Sequence, residues 1–105
     1  MPQIITTKEE LELAKNSQPH GCILMITSET CPPCKLFKPH YAELEMAFPH
    51  IKFCEMLPNC SAFKEEHSES SITAFPTFRR YIKGKLIGEQ QIGAIKTKII
   101  SMLSN

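Results

Sequence analysis

Three observations predict an α/β fold with a mixed central sheet for this chain. Gly21 to Thr27 (GCILMIT) is a short, β-branched and nearly unbroken apolar run, the pattern of a strand buried on both faces. Directly after it, Leu36, Phe37, Tyr41, Leu44, Ala47 and Phe48 recur at spacings of one side of a helix. Further on, two apolar runs, Pro76 to Ile82 and Lys85 to Ile92, meet at the short Lys83-Gly84-Lys85 link of a hairpin. A strand-to-helix unit upstream of a hairpin implies parallel and antiparallel pairing in one sheet, with helices on both of its faces.

The remaining elements follow in order. Gln3 to Thr6 is a short strand. Thr7 followed three residues later by Glu10 is a capping box, opening a helix with Leu11, Leu13 and Ala14 that runs to about Asn16. Pro19 and Gly21 make a turn into the central strand. In the helix after that strand, Pro39 removes one hydrogen bond and is expected to kink it, and Pro49 ends it. Ile51 to Met56 alternates as a third strand, with Ile51, Phe53 and Met56 toward the core, and Leu57-Pro58-Asn59 breaks it. Asn59 or Ser61 is expected to cap a third helix to about Ser68, anchored by Phe63, with Glu65, Glu66 and His67 on a solvated face. Ser68 to Ser71 is a polar connection. After the hairpin, Gly93 precedes a final helix from Ala94 to about Leu103, carrying Ile95, Ile99, Met102 and Leu103 at helical spacing. The result is a sheet of about five strands flanked by about four helices, with a site at the carboxyl end of the central strand.

Length and composition narrow the function. At 105 residues the chain is expected to be a single domain over 1–105, large enough for a modest core. A net charge of +1 with scattered Lys and Glu gives no reason to invoke nucleic acid or a membrane surface. Met1-Pro2-Gln3-Ile4-Ile5 lacks the basic region and apolar segment of a signal peptide, and no apolar run approaches the roughly 20 residues of a membrane span. Five cysteines, an odd number, point to a reducing compartment, the cytoplasm, and to a reactive site rather than a disulfide framework.

That site is Cys31-Pro32-Pro33-Cys34-Lys35, two cysteines at the turn from the buried strand into a helix. Disulfide exchange needs a thiolate, and the free N–H groups and positive dipole end of a helix start stabilise one, with Lys35 as a nearby cation. A second thiol one turn later can then attack a mixed disulfide. Pro32 and Pro33 suit the start of a helix because their φ is already fixed.

With these residues in view, the whole chain resembles the thioredoxin family. The matching blocks are Cys31-Pro32-Pro33-Cys34-Lys35 with Lys38-Pro39, then Phe75-Pro76-Thr77-Phe78, Lys83-Gly84-Lys85 and Ile92-Gly93-Ala94. The resemblance implies the thioredoxin fold and a protein-disulfide reductase, with Cys31 as exposed nucleophile and Cys34 as resolving thiol. It implies a cis Phe75–Pro76 bond opposite Cys31 that presents Phe75 backbone groups to an extended substrate, with Thr30 and Pro32 completing the contact surface. It further implies a monomer without metal or organic cofactor, disulfide-containing protein substrates, and electrons from a flavin- and NADPH-dependent thioredoxin reductase. Three departures stand out. Thr30 occupies the position of the usual tryptophan, and the chain has no tryptophan at all. Pro32-Pro33 replaces the common Gly-Pro, and Met25 falls where a buried aspartate is usual, leaving Glu55 as an alternative acid for the resolving step.

Two other classes compete with this reading. One is a redox-silent binding module that keeps the fold and uses the Phe75-Pro76 surface. The other is a zinc protein, since Cys31, Cys34, Cys54 and Cys60 supply four thiolates, though at poor ligand spacing. Cys22 and Cys54 read as buried small hydrophobes, Cys60 as an exposed thiol near a helix start, and His20, His40, His50 and His67 as surface.

Overall fold

The computed structural model describes residues 1–104. Its elements are β1 (Gln3–Ile5), α1 (Lys8–Lys15), β2 (Cys22–Ile26), α2 (Pro32–Ala47), β3 (Lys52–Met56), α3 (Ser61–Glu69), β4 (Thr77–Ile82), β5 (Lys85–Leu86), β6 (Gln91–Ile92) and α4 (Lys96–Leu103). The sheet order is β1-β3-β2-β4-β5, with β6 also pairing β4. β1, β3 and β2 run parallel, and β4 runs antiparallel to β2, with Ile26 opposite Thr77 and Cys22 opposite Tyr81.

The central strand is buried at every position from Cys22 to Ile26 because helices cover both sides of the sheet. Ile23, Met25, Phe53 and Phe78 pack with Phe37 and Tyr41 of α2 and Ile99 and Leu103 of α4. On the other face, Ile5, Leu24, Ile26 and Met56 pack with Leu11 of α1 and Ala62 of α3. One polar contact registers α2 on the sheet. The buried Tyr41 hydroxyl lies 3.0 Å from the Ile23 carbonyl and 2.8 Å from the Cys54 carbonyl, so its proton is shared between neighbouring strands. A buried phenol without such acceptors would lose roughly 1–3 kcal/mol.

The capping box forms as expected: Glu10 N–H donates to Thr7 Oγ1 at 3.1 Å, and Thr7 N–H donates to Glu10 Oε1 at 3.0 Å. The Lys83-Gly84 turn has positive φ at both residues, 52° and 80°, the twist a two-residue hairpin needs. α2 continues through Pro39 without interruption.

Several expectations are corrected. The run Lys85 to Ile92 is two short strands, β5 and β6, because Gly88 turns the chain at φ 69° and Gln90 leaves the ladder to accept from Arg79 Nε at 2.8 Å. Leu36 and Ala47 are exposed, and the buried face of α2 is instead Cys34, Phe37, Tyr41 and Leu44. α3 is capped by neither Asn59 nor Ser61. Cys60 holds the cap position without a side-chain bond, and Ala62 is buried deeper than Phe63. The final helix starts at Lys96, and Ile95 before it is half exposed.

The largest correction is Glu66, which is fully buried. It pairs with Lys15 of α1 and Arg79 of β4, and accepts from the Tyr81 hydroxyl at 2.6 Å. The Lys15 ammonium also lies 4.4 Å from the Tyr81 ring centroid. These partners converge from two other elements, α1 and β4, so the charged stretch around Glu66 cannot reveal them. Burial alone would raise the Glu66 carboxyl, but the bonds from Lys15, Tyr81 and Arg79 outweigh it and hold the group below the usual range. Glu66→Ala strands buried Arg79 without a carboxylate and leaves Lys15 only the more distant, half-exposed Glu69 at 3.8 Å, and is expected to lower stability by about 3–5 kcal/mol. Because the folded value is the lower one, the carboxylate's contribution is complete above the unfolded glutamate value and is lost as pH falls through the folded value. Urea unfolding across pH should therefore show wild-type stability falling below about pH 4 more steeply than that of Glu66→Gln.

Candidate active site

The central strand ends at Ile26, and the chain turns through Ser28, Glu29 and Thr30 before α2 begins. Cys31 sits at the N-cap with φ −103° and ψ 100°, and Pro32 and Pro33 fill the first two helical positions. Neither proline has an N–H, so Cys34 supplies the first donor of the helix. That N–H donates to Cys31 Sγ at 3.3 Å. The sulfur thus stands where a serine or aspartate oxygen would cap a helix. Around it, Cys31 N–H donates to the Ser28 carbonyl at 3.3 Å and Lys35 N–H to the Cys31 carbonyl at 3.2 Å, fixing the turn on both sides.

Cys31 and Cys34 are joined as a disulfide, with Cα atoms 5.3 Å apart. Both are buried, so Cys31 is not the exposed group the resemblance implied; it retains 8% exposure where Cys34 has none, because the capping turn and the helix pack over it. In the dithiol form, the Cys34 N–H and the helix dipole favour negative charge on the Cys31 sulfur.

The second wall comes from the segment entering β4. Thr77 pairs with Ile26, so Pro76 leaves the sheet at the same end as the cysteine turn. The Phe75–Pro76 bond is cis. The Pro76 carbonyl accepts from Gly93 N–H at 2.9 Å, and Thr77 Oγ1 donates to the Ala74 carbonyl at 2.7 Å. Among the described residues no backbone group takes up the N–H or carbonyl of Phe75. Its ring is half-buried, 6.4 Å from that of Phe63.

Clefts flank the cysteines on both sides. Ser28, Glu29 and Thr30 with Leu57, Pro58 and Asn59 line one of about 240 Å³. Pro33, Leu36, Phe37, His40 and Ala94 line another of about 250 Å³. Leu36, read from sequence as core, stands 76% exposed on this rim, where an apolar partner can cover it. Thr30 is exposed, its hydroxyl 3.3 Å from that of Ser28, Pro32 is exposed, and Pro76 is buried.

Behind the disulfide, Met25 is fully buried in the same cluster as Cys34. Its register partner on β3 is Glu55, whose Oε1 is buried without a hydrogen-bond partner among the described residues, 3.8 Å from Lys38 Nζ. The other cysteines lie apart. Cys22 and Cys54 are sealed in the opposite core, where Cys54's thiol and burial push Cys22 far above the ordinary thiol range and keep it protonated. The Cys60 thiol is only half-buried and donates to the Leu57 carbonyl at 3.2 Å. With Cys54 in the core and Cys31 bonded to Cys34, the four thiols do not form one ligand set, and no three His, Cys, Asp or Glu side chains gather for a metal among the described residues.

The thioredoxin family model matches residues 2–105. The chain belongs to the thioredoxin family. Among curated thioredoxins it is 31% identical to that of Sus scrofa over 101 residues, covering 94% of this chain and 92% of the relative. It is 37% identical to mitochondrial thioredoxin-3 of Saccharomyces cerevisiae over 71 residues, covering 66% of this chain and 52% of the relative. The crystal structure of oxidised mitochondrial thioredoxin 3 from the same yeast superposes with a TM-score of 0.84 at 26% identity, over 98% of this chain and 93% of that one. Thioredoxin membership and the linked Cys31–Cys34 pair make the chain a thiol–disulfide oxidoreductase.

Met25 gives a prediction. Met25→Asp places a carboxyl where burial raises its pKa, so the variant loses stability near neutral pH, by roughly 2–4 kcal/mol, and recovers much of it as the acid protonates toward pH 4. Thermal unfolding at the two pH values checks the sign. Equal destabilisation at both would mean that the new carboxyl reaches solvent.

Proposed function

We propose that Cys31 is the nucleophile and Cys34 the resolving thiol in the reduction of protein disulfides. The observation that carries this assignment is the capping N–H of Cys34 directed at Cys31 Sγ at the start of α2, with the pair's small residual exposure also on Cys31.

The Cys31 thiolate attacks one sulfur of a substrate disulfide. The substrate S–S bond breaks, its other sulfur leaves as a thiolate and takes a proton, and a mixed disulfide to Cys31 forms. Cys34 then loses its proton and attacks Cys31 Sγ, which breaks the mixed bond and releases the second substrate thiol. The substrate gains two electrons and the protein becomes the Cys31–Cys34 disulfide. Two electrons from a flavin- and NADPH-dependent thioredoxin reductase return it to the dithiol.

An extended substrate segment pairs with the free backbone groups of Phe75, while Thr30 and Pro32 form the surface around the reacting sulfurs and buried Pro76 shapes the turn beneath it. With Thr30 in place of a large aromatic ring, that surface is smaller and more polar, and Leu36 supplies much of its apolar area. The protein works as a monomer, and in the cytoplasm, where a reducing compartment suits the three cysteines left outside the disulfide. At Met25 no side chain can take the Cys34 proton, because a thioether is only a weak acceptor, so water or Glu55 serves instead.

Cys31→Ser should abolish disulfide reduction. Cys34→Ser should still attack substrate and accumulate the mixed disulfide, seen as a reductant-sensitive adduct by mass spectrometry. Alkylation of the reduced protein at mildly acidic pH should label Cys31 first. Prior labelling of Cys34 would reverse the assigned roles.

A further inference from the structure

The opposite end of the sheet carries a second polar site. Arg80 of β4 is 1% exposed, buried against the same face as α2 and α4. Its Nη1 donates to the carbonyls of Cys22 at 3.0 Å and Tyr81 at 2.9 Å. Nε and Nη2, on the remaining edge of the planar guanidinium, have no hydrogen-bond partner among the described residues. Two buried charged donors left unpaired are unfavourable by several kcal/mol unless something accepts from them.

Arg80 lines a cavity of about 380 Å³ whose walls include Phe48, Pro49, Ile51 and Leu103, with His20 and His50 at its exposed rim, their ring centroids 6.0 Å apart. Cys22, whose carbonyl holds Arg80, is four residues from Ile26, so about 13 Å of strand separates this cavity from the cysteine end of β2.

We propose that this cavity binds a carboxylate carried on an apolar body. Three features select that chemistry. Nε and Nη2 form a parallel two-donor fork, which matches the two oxygens of a carboxylate. Phe48, Pro49, Ile51 and Leu103 give the walls an apolar side suited to a ring or alkyl chain, while His20, His50 and Ser104 make the rest polar. Charge balance then favours a monoanion: α2 and α4 both end in the wall, at Ala47 and Leu103, and their negative dipole ends partly offset the single guanidinium. A dianion such as phosphate would meet net repulsion once paired. Water can accept from the fork but leaves the buried charge uncompensated. Because both fork atoms lie beneath the cavity surface, the ligand must displace part of the wall as it seats.

The same group comes from two sources, a free organic acid or the C-terminal carboxylate of a polypeptide. Benzoate is the probe, with benzamide as its neutral isostere, titrated by calorimetry and by the Arg80 Nε–H resonance. Benzoate should bind saturably and shift that resonance, benzamide should do neither, and inorganic phosphate should bind more weakly than benzoate. Arg80→Lys, which keeps the charge and removes the fork, should weaken benzoate at least tenfold, and Arg80→Met should abolish binding. The lysine variant keeps the test usable if the methionine variant does not fold. Equal binding of benzoate and benzamide, or full benzoate affinity in Arg80→Lys, would overturn the proposal, as would absence of benzoate binding to every form of the protein. Titrating a short apolar peptide with a free C-terminal carboxylate, and the same peptide amidated, separates the sources. Peptide acid that binds more tightly than benzoate while its amide does not bind assigns the fork to a polypeptide carboxylate, and peptide acid that binds more weakly than benzoate supports a free acid.

Discussion

The hydrogen bond from the Cys34 N–H to Cys31 Sγ is the contact around which the active end of this molecule is arranged. It exists because the first sulfur occupies a helix cap and because prolines at the next two positions leave Cys34 as the first available donor. The cap in turn is only as well placed as α2. Tyr41 fixes that helix to β2 and β3 through two carbonyls, and Phe37, Tyr41 and Leu44 seat it on the sheet. The same arrangement buries the second sulfur completely and leaves the first a small residual exposure, which is what the proposed order of exchange draws on.

The polar groups inside this fold are handled in two contrasting ways. Glu66 collects Lys15, Arg79 and Tyr81, so charge is balanced within the core on the α1/α3 face. Breaking that set is unfavourable because each remaining partner is stranded, which makes it a fastening between helices and sheet. Arg80, the next residue along β4, points to the other face and, among the described residues, finds acceptors for only one of its nitrogens. Adjacent arginines on one strand thus meet opposite environments, because successive side chains alternate between faces. One completes a network, and the other leaves a fork that no group among the described residues accepts from.

Much of this was legible in the residues. The unbroken apolar run of β2 announced a central strand, Thr7 with Glu10 announced α1, and the two cysteines at the strand-to-helix turn announced the chemistry. Local signals failed where long-range partners decide. Glu66 looked solvated because its neighbours in sequence are charged, while its partners come from α1 and β4. Leu36 fits a helical apolar stripe, yet the site leaves it in the open beside Pro33. The split of the last strand depended on Gln90 turning inward to Arg79, which no spacing rule contains. Arg80 carried no signal either, since a basic residue on a strand otherwise reads as an edge or surface position.

The central claim is that Cys31 and Cys34, and no other cysteines, cycle between dithiol and disulfide. The most direct measurement is mass spectrometry of the denatured, alkylated protein after equilibration with one equivalent of a protein disulfide. Of the five cysteines, three stand outside the disulfide, so the starting reduced protein should carry five alkyl groups and the product three, with one substrate disulfide reduced per chain. Peptide mapping should place the lost pair at Cys31 and Cys34. Five alkyl groups before and after, or a lost pair that includes Cys60, would contradict it.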